Sequence, residues 1–309
     1  MLVVYIIRGR IVNKKNVWIA VIMGAALFGL FTACGEKIAP VDTSGLPPAL
    51  TAAGTERISF PSNLLKKDMG LYIHLPQGFD STKEYPVVYL LHGFGNTEIE
   101  WFEYHGLHTL ADTLTAKGSI PPMILVAVQM DNSWGIDTGE PKQLSTNARN
   151  SLYSGPYETY MVHEVLPVVE QRYPVMRQKE GRTIAGISMG GFAALHIGLR
   201  NRKVFGSIAA HSPALRGQHV PDWFMYAPDR PAEKNDPILL ASRLKQGQTR
   251  IWLDCGEQDG LLPGVEEMKT ALEDNDWSIR YSTKPGKHNQ DYWLSRLSDY
   301  LAFYGDATR

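Results

Sequence analysis

The stretch Arg182-Thr183-Ile184-Ala185-Gly186-Ile187-Ser188-Met189-Gly190-Gly191 places a serine between glycines directly after an apolar run. At a sharp turn from a strand into a helix, flanking side chains would collide, and glycine removes that collision. The residues that follow, Phe192 to Leu199, have the apolar pattern of a helix. The stretch therefore predicts a nucleophile elbow, a strand–turn–helix corner from which Ser188 projects its hydroxyl.

Composition limits the classes of protein to which the chain can belong. The 309 residues carry a formal net charge of -1, and no Lys/Arg-rich run occurs outside the first few residues, so we expect no nucleic-acid partner. The chain has only two cysteines, which excludes a disulfide framework. Cys255 ends an apolar run, and we expect it to be a buried thiol.

The N-terminal region has the pattern of an export signal. Four basic residues precede the apolar run Val17 to Phe31, and the small residue Ala33 stands directly before Cys34. This pattern resembles a bacterial lipoprotein signal, in which the cysteine after the cleavage site carries the lipid. We expect residues 1–33 to be the signal peptide, residues 34–54 the lipidated Cys34 with a flexible linker, and residues 55–309 the folded domain.

Either processing outcome would place the protein in the cell envelope. If Cys34 is lipidated, the exported chain is anchored on the periplasmic or cell-surface side of a bacterial membrane. The alternative is an uncleaved transmembrane anchor, for which the apolar run is slightly short. The sequence therefore predicts a membrane-tethered protein outside the cytoplasm.

Beyond residue 55, strand-like runs alternate with helical patterns. Arg57–Phe60 and Gly70–Leu75 read as an opening antiparallel pair, and Pro86–Leu91 and Met123–Val128 as strands buried on both faces. The remaining expected elements are helices at Thr159–Tyr173 and Tyr292–Tyr304, and strands at Phe205–Ala210, Arg250–Cys255 and Ser278–Ser282. This order predicts an α/β fold with a mostly parallel central sheet and helices on both faces.

A serine nucleophile needs a histidine base and an acid that orients the base, and elbow enzymes carry them in the order Ser, acid, His. His288 lies in a loop after the last strand and is the expected base. His196, His211 and His219 also follow Ser188, but each lies in a less suitable position. Asp259, just past the strand Arg250–Cys255, is the expected acid. Its competitors are Asp254, Glu257, Asp274 and Asp276.

Acyl transfer also needs N–H donors for the oxyanion of the tetrahedral intermediate. One is expected from Met189, the residue after the nucleophile. The other is expected from the glycine-rich loop His92-Gly93-Phe94-Gly95-Asn96 after the third strand, with Phe94 favoured and Gly93 or Gly95 as alternatives. His92 is expected to support this loop.

Together, these segments resemble the esterase D-like family of α/β hydrolases, which includes feruloyl and acetyl xylan esterases. The similarity is carried by Leu90–Gly95, Gly186–Gly191, Asp254–Asp259 and Gly286–His288. It implies an α/β-hydrolase fold and ester hydrolysis through an acyl-enzyme, with Ser188, His288 and Asp259 as the triad. It implies neither a metal nor an organic cofactor.

The expected substrate is a small-molecule or polysaccharide ester, in particular an acetyl or feruloyl group linked to a carbohydrate. Trp134 could stack on a sugar or an aromatic acyl group, and His211 or Trp223–Tyr226 could form other walls of the site. Two alternatives stay open: an acyltransferase acting on a sugar or lipid, and a non-catalytic, tethered carbohydrate-binding protein. The oligomeric state is not predicted.

Overall fold

The computed structural model describes residues 6–7, 10–11, 38–144, 151–215, 232–245 and 247–306. An eight-stranded sheet, whose strands lie between residues 54 and 284, organises the folded domain. Its strands are β1 (Gly54–Ser62), β2 (Lys67–Leu75), β3 (Val87–Leu91), β4 (Ile124–Val128), β7 (Arg182–Ile187), β8 (Ser207–His211), β9 (Arg250–Gly256) and β10 (Ile279–Lys284). A separate antiparallel hairpin joins β5 (Asp137–Gln143) and β6 (Tyr153–Pro156).

The strand order in the large sheet is β10-β9-β8-β7-β3-β4-β2-β1. Strands β3, β4 and β7 to β10 are parallel to one another, whereas β2 runs antiparallel to both β1 and β4. The predicted antiparallel opening pair and the mostly parallel sheet are thus confirmed. Because the parallel strands share one orientation, their carboxyl ends meet at one edge of the sheet.

The helices lie between the strands, as the α/β prediction requires. They are α1 (Leu107–Ala116), α2 (Tyr157–Tyr160), α3 (Leu166–Arg172), α4 (Met189–Arg200), α5 (Ala232–Asn235), α6 (Pro237–Ala241), α7 (Leu262–Glu273) and α8 (Gln290–Gly305). A π-helical turn, Glu100–Tyr104, precedes α1, and another, Met161–Val165, joins α2 to α3. A short 3₁₀ turn, Lys179–Gly181, leads into β7.

Buried side chains on both faces of the sheet explain the continuous apolar runs of the central strands. Alternate residues of β3 point to opposite faces of the sheet. Tyr89 belongs to the core on one face, which includes Phe192 of α4. Leu90 belongs to the core on the other face, which includes Leu107 of α1 and Tyr300 of α8. Both faces are therefore covered by helices, as the α/β-hydrolase fold requires.

The chain divides into two compact units, residues 1–39 and 40–309. In the first, Ile6–Ile7 pairs antiparallel with Arg10–Ile11. In the second, part of the segment that the sequence assigns to a linker lies against the folded domain: Val41 is buried, and the carbonyl of Pro47 accepts a hydrogen bond from Arg172. Within the described residues, no helix has both the length and the apolar character to cross a membrane.

Candidate active site

The turn between β7 and α4 holds Ser188 in a strained backbone conformation, with φ 55° and ψ -116°. The glycines around it allow backbone segments to approach closely. A Cβ on Gly186 would lie 2.3 Å from the carbonyl of Gly190, and one on Gly190 would lie 2.3 Å from the carbonyl oxygen of Leu91. Any larger residue at either position would displace the backbone that presents Ser188. The segment thus has the geometry of a nucleophile elbow.

Three expected catalytic side chains meet at the carboxyl edge of the sheet. The Oγ of Ser188 lies 2.9 Å from the Nε2 of His288, and the Nδ1 of the same ring lies 2.8 Å from the Oδ2 of Asp259. The serine follows β7, the aspartate follows β9, and the histidine follows β10. This is the arrangement of a Ser-His-Asp triad, in which the acid fixes the imidazole so that its other nitrogen faces the serine.

The acid is buried, while the base is accessible. Asp259 is only 4% exposed, whereas the side chain of His288 is 33% exposed. Burial by itself would raise the pKa of Asp259, but hydrogen bonds from His288 and from the N–H of Leu261 outweigh it and leave the pKa below its usual value. The carboxylate therefore stays ionised near neutral pH, where it can stabilise an imidazolium.

Helix α8 begins just after His288, and one of its side chains packs against the His288 ring. The ring of Trp293 packs edge-to-face against the His288 ring, at a centroid distance of 5.1 Å. In the same turn, the hydroxyl of Tyr292 donates to Oδ2 of Asp254 on β9, which ties the start of α8 to the strand that leads to Asp259. The base and the acid are therefore held by directly connected elements.

The two expected oxyanion donors are free of competing acceptors. Within the described residues, neither the N–H of Phe94 nor that of Met189 has a hydrogen-bond acceptor in the protein. The neighbouring N–H groups of the loop are occupied: Gly93 donates to Glu100 and Gly95 donates to Asn132, each at 2.7 Å. This pattern favours Phe94 over the two glycines as the donor of this loop.

The expectation that His211 forms a wall of the substrate site is corrected. His211 is fully buried at the end of β8, with Nδ1 bonded to Asp254 and Nε2 lying 2.8 Å from the hydroxyl of Tyr304. Its ring stacks on Tyr300, with the ring centroids 3.5 Å apart. Since both nitrogens and one face of the ring are engaged below the surface, His211 supports the site from inside.

Trp134 does not offer an open face for stacking either. The residue is 1% exposed, and its ring packs edge-to-face against Phe192 of α4, with Phe94 on its outer side at a centroid distance of 6.3 Å. The exposed aromatic ring at this position is Phe94 itself, which is 39% exposed. Trp134 therefore forms the base on which the oxyanion loop rests.

Two further histidines, His92 and His196, have partners outside the triad. His92 is buried, with its ring nitrogens near the carbonyl of Gly93 and the side chain of Gln129, as expected for a residue that supports the loop. His196 is buried beside Glu158. Cys34, His219 and Trp223–Tyr226 lie outside the described residues.

Two residues that support the oxyanion loop, Glu100 and Asn132, have no recognisable signal in the sequence. Each accepts a hydrogen bond from a glycine N–H of the oxyanion loop. Glu100 lies seven positions after Gly93, and Asn132 lies in the loop after β4, so no fixed spacing or motif connects them. Their role follows only from the way in which the loops after β3 and β4 fold against each other.

Fold and site together define a serine hydrolase of the α/β-hydrolase class. The model of the family described as "Putative esterase" matches residues 62–304. The chain therefore belongs to this esterase family, and the match includes Ser188, Asp259 and His288.

Curated relatives carry esterase names at low identity. The chain is 25% identical over 224 residues to an "Endo-1,4-beta-xylanase/feruloyl esterase" of Xylanibacter ruminicola, an alignment that covers 70% of this chain and 27% of the relative. It is 23% identical over 271 residues to an "Acetyl esterase" of Caldicellulosiruptor saccharolyticus, with 79% of this chain and 95% of the relative covered. The match thus spans only about a quarter of the first relative and nearly all of the second.

Solved structures show the same fold. A structure titled "ferulic acid esterase" superposes with a TM-score of 0.68 at 24% identity, covering 84% of this chain and all of that one. The superposition supports the α/β-hydrolase fold that the sequence predicts.

Proposed function

We propose that this esterase hydrolyses carbohydrate-linked acyl esters, such as acetyl or feruloyl groups, through an acyl-enzyme on Ser188. The observation that carries the proposal is the continuous contact from Ser188 Oγ to His288 Nε2, and from His288 Nδ1 to Asp259. A serine hydroxyl paired with a base that is itself oriented by a buried carboxylate is the arrangement required for nucleophilic attack on an acyl group.

The contacts support the following sequence of steps. Ser188 Oγ attacks the ester carbonyl while His288 Nε2 takes the hydroxyl proton, and Asp259 stabilises the resulting imidazolium. The N–H groups of Phe94 and Met189 bind the oxyanion, and His288 returns the proton to the leaving sugar oxygen. A water molecule, activated by His288, then attacks the acyl-serine and releases the carboxylic acid together with free Ser188.

Exposed apolar side chains on the elements that carry the site support an aromatic or otherwise apolar acyl group. Phe94 is 39% exposed, Tyr104 52% and Leu294 41%. The side chain of Gln290, two residues after the base, donates to the carbonyl of Tyr104, which places this tyrosine beside the start of α8. The names of the two relatives, one a feruloyl esterase and one an acetyl esterase, agree with such a substrate.

We also propose that the protein is exported and lipid-anchored at Cys34, on the periplasmic or cell-surface side of a bacterial membrane. The support is the order of basic residues, apolar run, small residue and cysteine in residues 8–34. A tethered esterase would meet polysaccharide esters outside the cell, which agrees with the proposed substrate class.

The substrate proposal is tested with a panel of esters. We expect the highest kcat/KM for acetylated xylan or feruloylated arabinoxylan oligosaccharides, and lower values for a glutathione thioester. The Tyr104→Ala variant should raise KM for feruloyl esters and leave p-nitrophenyl acetate turnover unchanged. Transfer of the acyl group to an added sugar in preference to water would instead identify an acyltransferase, and a preference for the thioester would contradict the carbohydrate-ester proposal.

A further inference from the structure

The oxyanion loop is held by hydrogen bonds to alternate backbone N–H groups. The N–H of Gly93 donates to Oε2 of Glu100, and the N–H of Gly95 donates to Oδ1 of Asn132, both at 2.7 Å. The N–H between them, on Phe94, has no acceptor within the described part of the chain. The two side chains therefore turn the flanking N–H groups away and leave one donor for a ligand.

Glu100 lies at the centre of this arrangement. It is 3% exposed at the start of the π-helical turn Glu100–Tyr104, and its second oxygen accepts a hydrogen bond from the side-chain amide of Asn96. The next residue, Trp101, donates its indole N–H to the carbonyl of Leu91, 3.1 Å away, which fixes the turn to the end of β3. Glu100 thus connects a rigid element to both ends of the loop.

A carboxylate at this position carries a cost in free energy. Burial raises the pKa of Glu100 to about 7, against the opposing effect of the Gly93 and Asn96 hydrogen bonds. Among the described residues, no Lys, Arg or His forms an ion pair with Glu100. The described polar partners of the Glu100 side chain all belong to the oxyanion loop. Its two oxygens can accept hydrogen bonds from the Gly93 N–H and the Asn96 amide at once. This capacity explains a buried carboxylate here better than a contribution to the stability of the fold does.

The loop also touches the elbow. A Cβ on Gly93 would lie 3.6 Å from the Glu100 carboxylate oxygens and 3.9 Å from Cγ1 of Ile187, the residue before the nucleophile. The peptide that Glu100 holds is therefore packed between Glu100 and the strand that presents Ser188. A shift of this peptide would change the position of the Phe94 N–H relative to the serine.

We propose that Glu100 is a positioning residue for the oxyanion hole: by holding the Gly93 N–H and the Asn96 amide, it keeps the Phe94 N–H aimed at the oxyanion that forms on attack by Ser188. The inference rests on the proposed acyl-enzyme mechanism. It assigns to Glu100 no contact with substrate and no proton transfer.

Removal of this support should lower the rate of the chemical step. Loss of one oxyanion donor costs about 10²–10³-fold in kcat, so Glu100→Ala, which removes both acceptors, should approach about 10²-fold. Glu100→Gln keeps one carbonyl oxygen as acceptor but turns an NH₂ towards a donor, and should lose about 10-fold. Since the substrate is not contacted, KM should change by no more than about twofold.

The experiment compares the full-length wild-type protein, Glu100→Gln, Glu100→Ala and the control Glu103→Gln, which alters an exposed glutamate of the same turn. It measures kcat and KM for p-nitrophenyl acetate, the thermal midpoint, and the affinity for phenylboronic acid, whose adduct with serine carries an oxyanion. We expect kcat and boronic acid affinity to fall together in the Glu100 variants and to stay unchanged in Glu103→Gln.

The proposal is overturned if a folded Glu100→Gln has the wild-type kcat and boronic acid affinity, even with a lower thermal midpoint, because Glu100 would then be purely structural. If Glu100→Ala does not fold, Glu100→Gln alone decides the question. Failure of the mechanism itself is recognised separately: the wild-type protein would be inactive, or Ser188→Ala would be as active as the wild-type protein.

Discussion

At the residue scale, the site depends on the different environments of two neighbouring aspartates. Asp259 lies past the end of β9 and faces His288, whereas Asp254 lies within the strand and is bonded to His211, Tyr292 and Tyr300. Both are buried. Asp259 therefore orients the base, whereas Asp254 connects β8 to α8 in the interior of the domain.

We predict that Asp259→Asn strongly reduces turnover. The amide keeps the size of the side chain but can donate to Nδ1 of His288, which favours the wrong imidazole tautomer. We expect kcat for p-nitrophenyl acetate to fall about 10⁴-fold with a nearly unchanged fold, as judged by circular dichroism.

Glu257→Gln is the matched control for this prediction. Glu257 is an exposed acid two residues before Asp259 and was the nearest competitor in the sequence. Its removal should leave kcat unchanged. A large loss in Glu257→Gln together with a small one in Asp259→Asn would assign the role of the acid to Glu257.

At the element scale, strands buried on both faces were the most predictable part of the fold. The run predicted as Met123–Val128 is found at Ile124–Val128, since a continuous apolar segment of this length has few alternatives in an α/β domain. The hairpin strand Asp137–Gln143 was not predicted, because it is polar, contains Pro141 and lies outside the main sheet. Its pairing depends on a partner strand with an equally weak signal.

A buried charge cluster joins α2 to the elbow helix α4. Glu158 is 7% exposed and accepts hydrogen bonds from Arg200, Asn201 and His196. Burial would raise the pKa of Glu158, but hydrogen bonds and charge from His196 and Arg200 outweigh it and lower the pKa to about 2. The cluster therefore favours folding only while Glu158 is ionised.

We predict that Glu158→Gln lowers the free energy of unfolding at pH 7 by about 3 kcal/mol, because the charge of Arg200 loses its partner. The folded-state pKa lies below the usual value of 4.5, so the wild-type advantage is full above that value and shrinks as the pH falls towards about 2. Urea unfolding at several pH values measures this difference.

The control for this prediction is Glu84→Gln, which changes an exposed glutamate and should alter the free energy of unfolding by no more than about 0.5 kcal/mol. A difference between wild type and Glu158→Gln that stays constant from pH 7 to pH 2 would show that the charge of Glu158 is not what stabilises the helix pair.

At the scale of the whole molecule, the order of residues along the chain predicted which side chains form the triad, but not which side chains near the site are buried. The order Ser, Asp, His and the positions after parallel strands β7, β9 and β10 are sufficient to select Ser188, Asp259 and His288. The burial of His211 could not be predicted, because its partners Asp254 and Tyr304 come from β9 and α8. Their packing around His211 is a property of the assembled core.

The proposed lipid anchor predicts where the full chain is found in a bacterial cell. The wild-type protein should partition into the detergent phase of a Triton X-114 extract, with a mature N-terminus at a lipidated Cys34. Cys34→Ser should lose the lipid, and Cys255→Ala, which changes the only other cysteine, should keep it. A Cys34→Ser protein that stays membrane-bound at full length would indicate the uncleaved transmembrane anchor instead.

The most direct test of Ser188 as the nucleophile is the turnover of p-nitrophenyl acetate by the full-length wild-type protein and by Ser188→Ala. If Ser188 is the nucleophile, the wild-type protein hydrolyses the ester and the variant loses on the order of 10⁶-fold in kcat. Equal rates in the two proteins, or no turnover in either, would contradict the assignment of this site as an esterase triad.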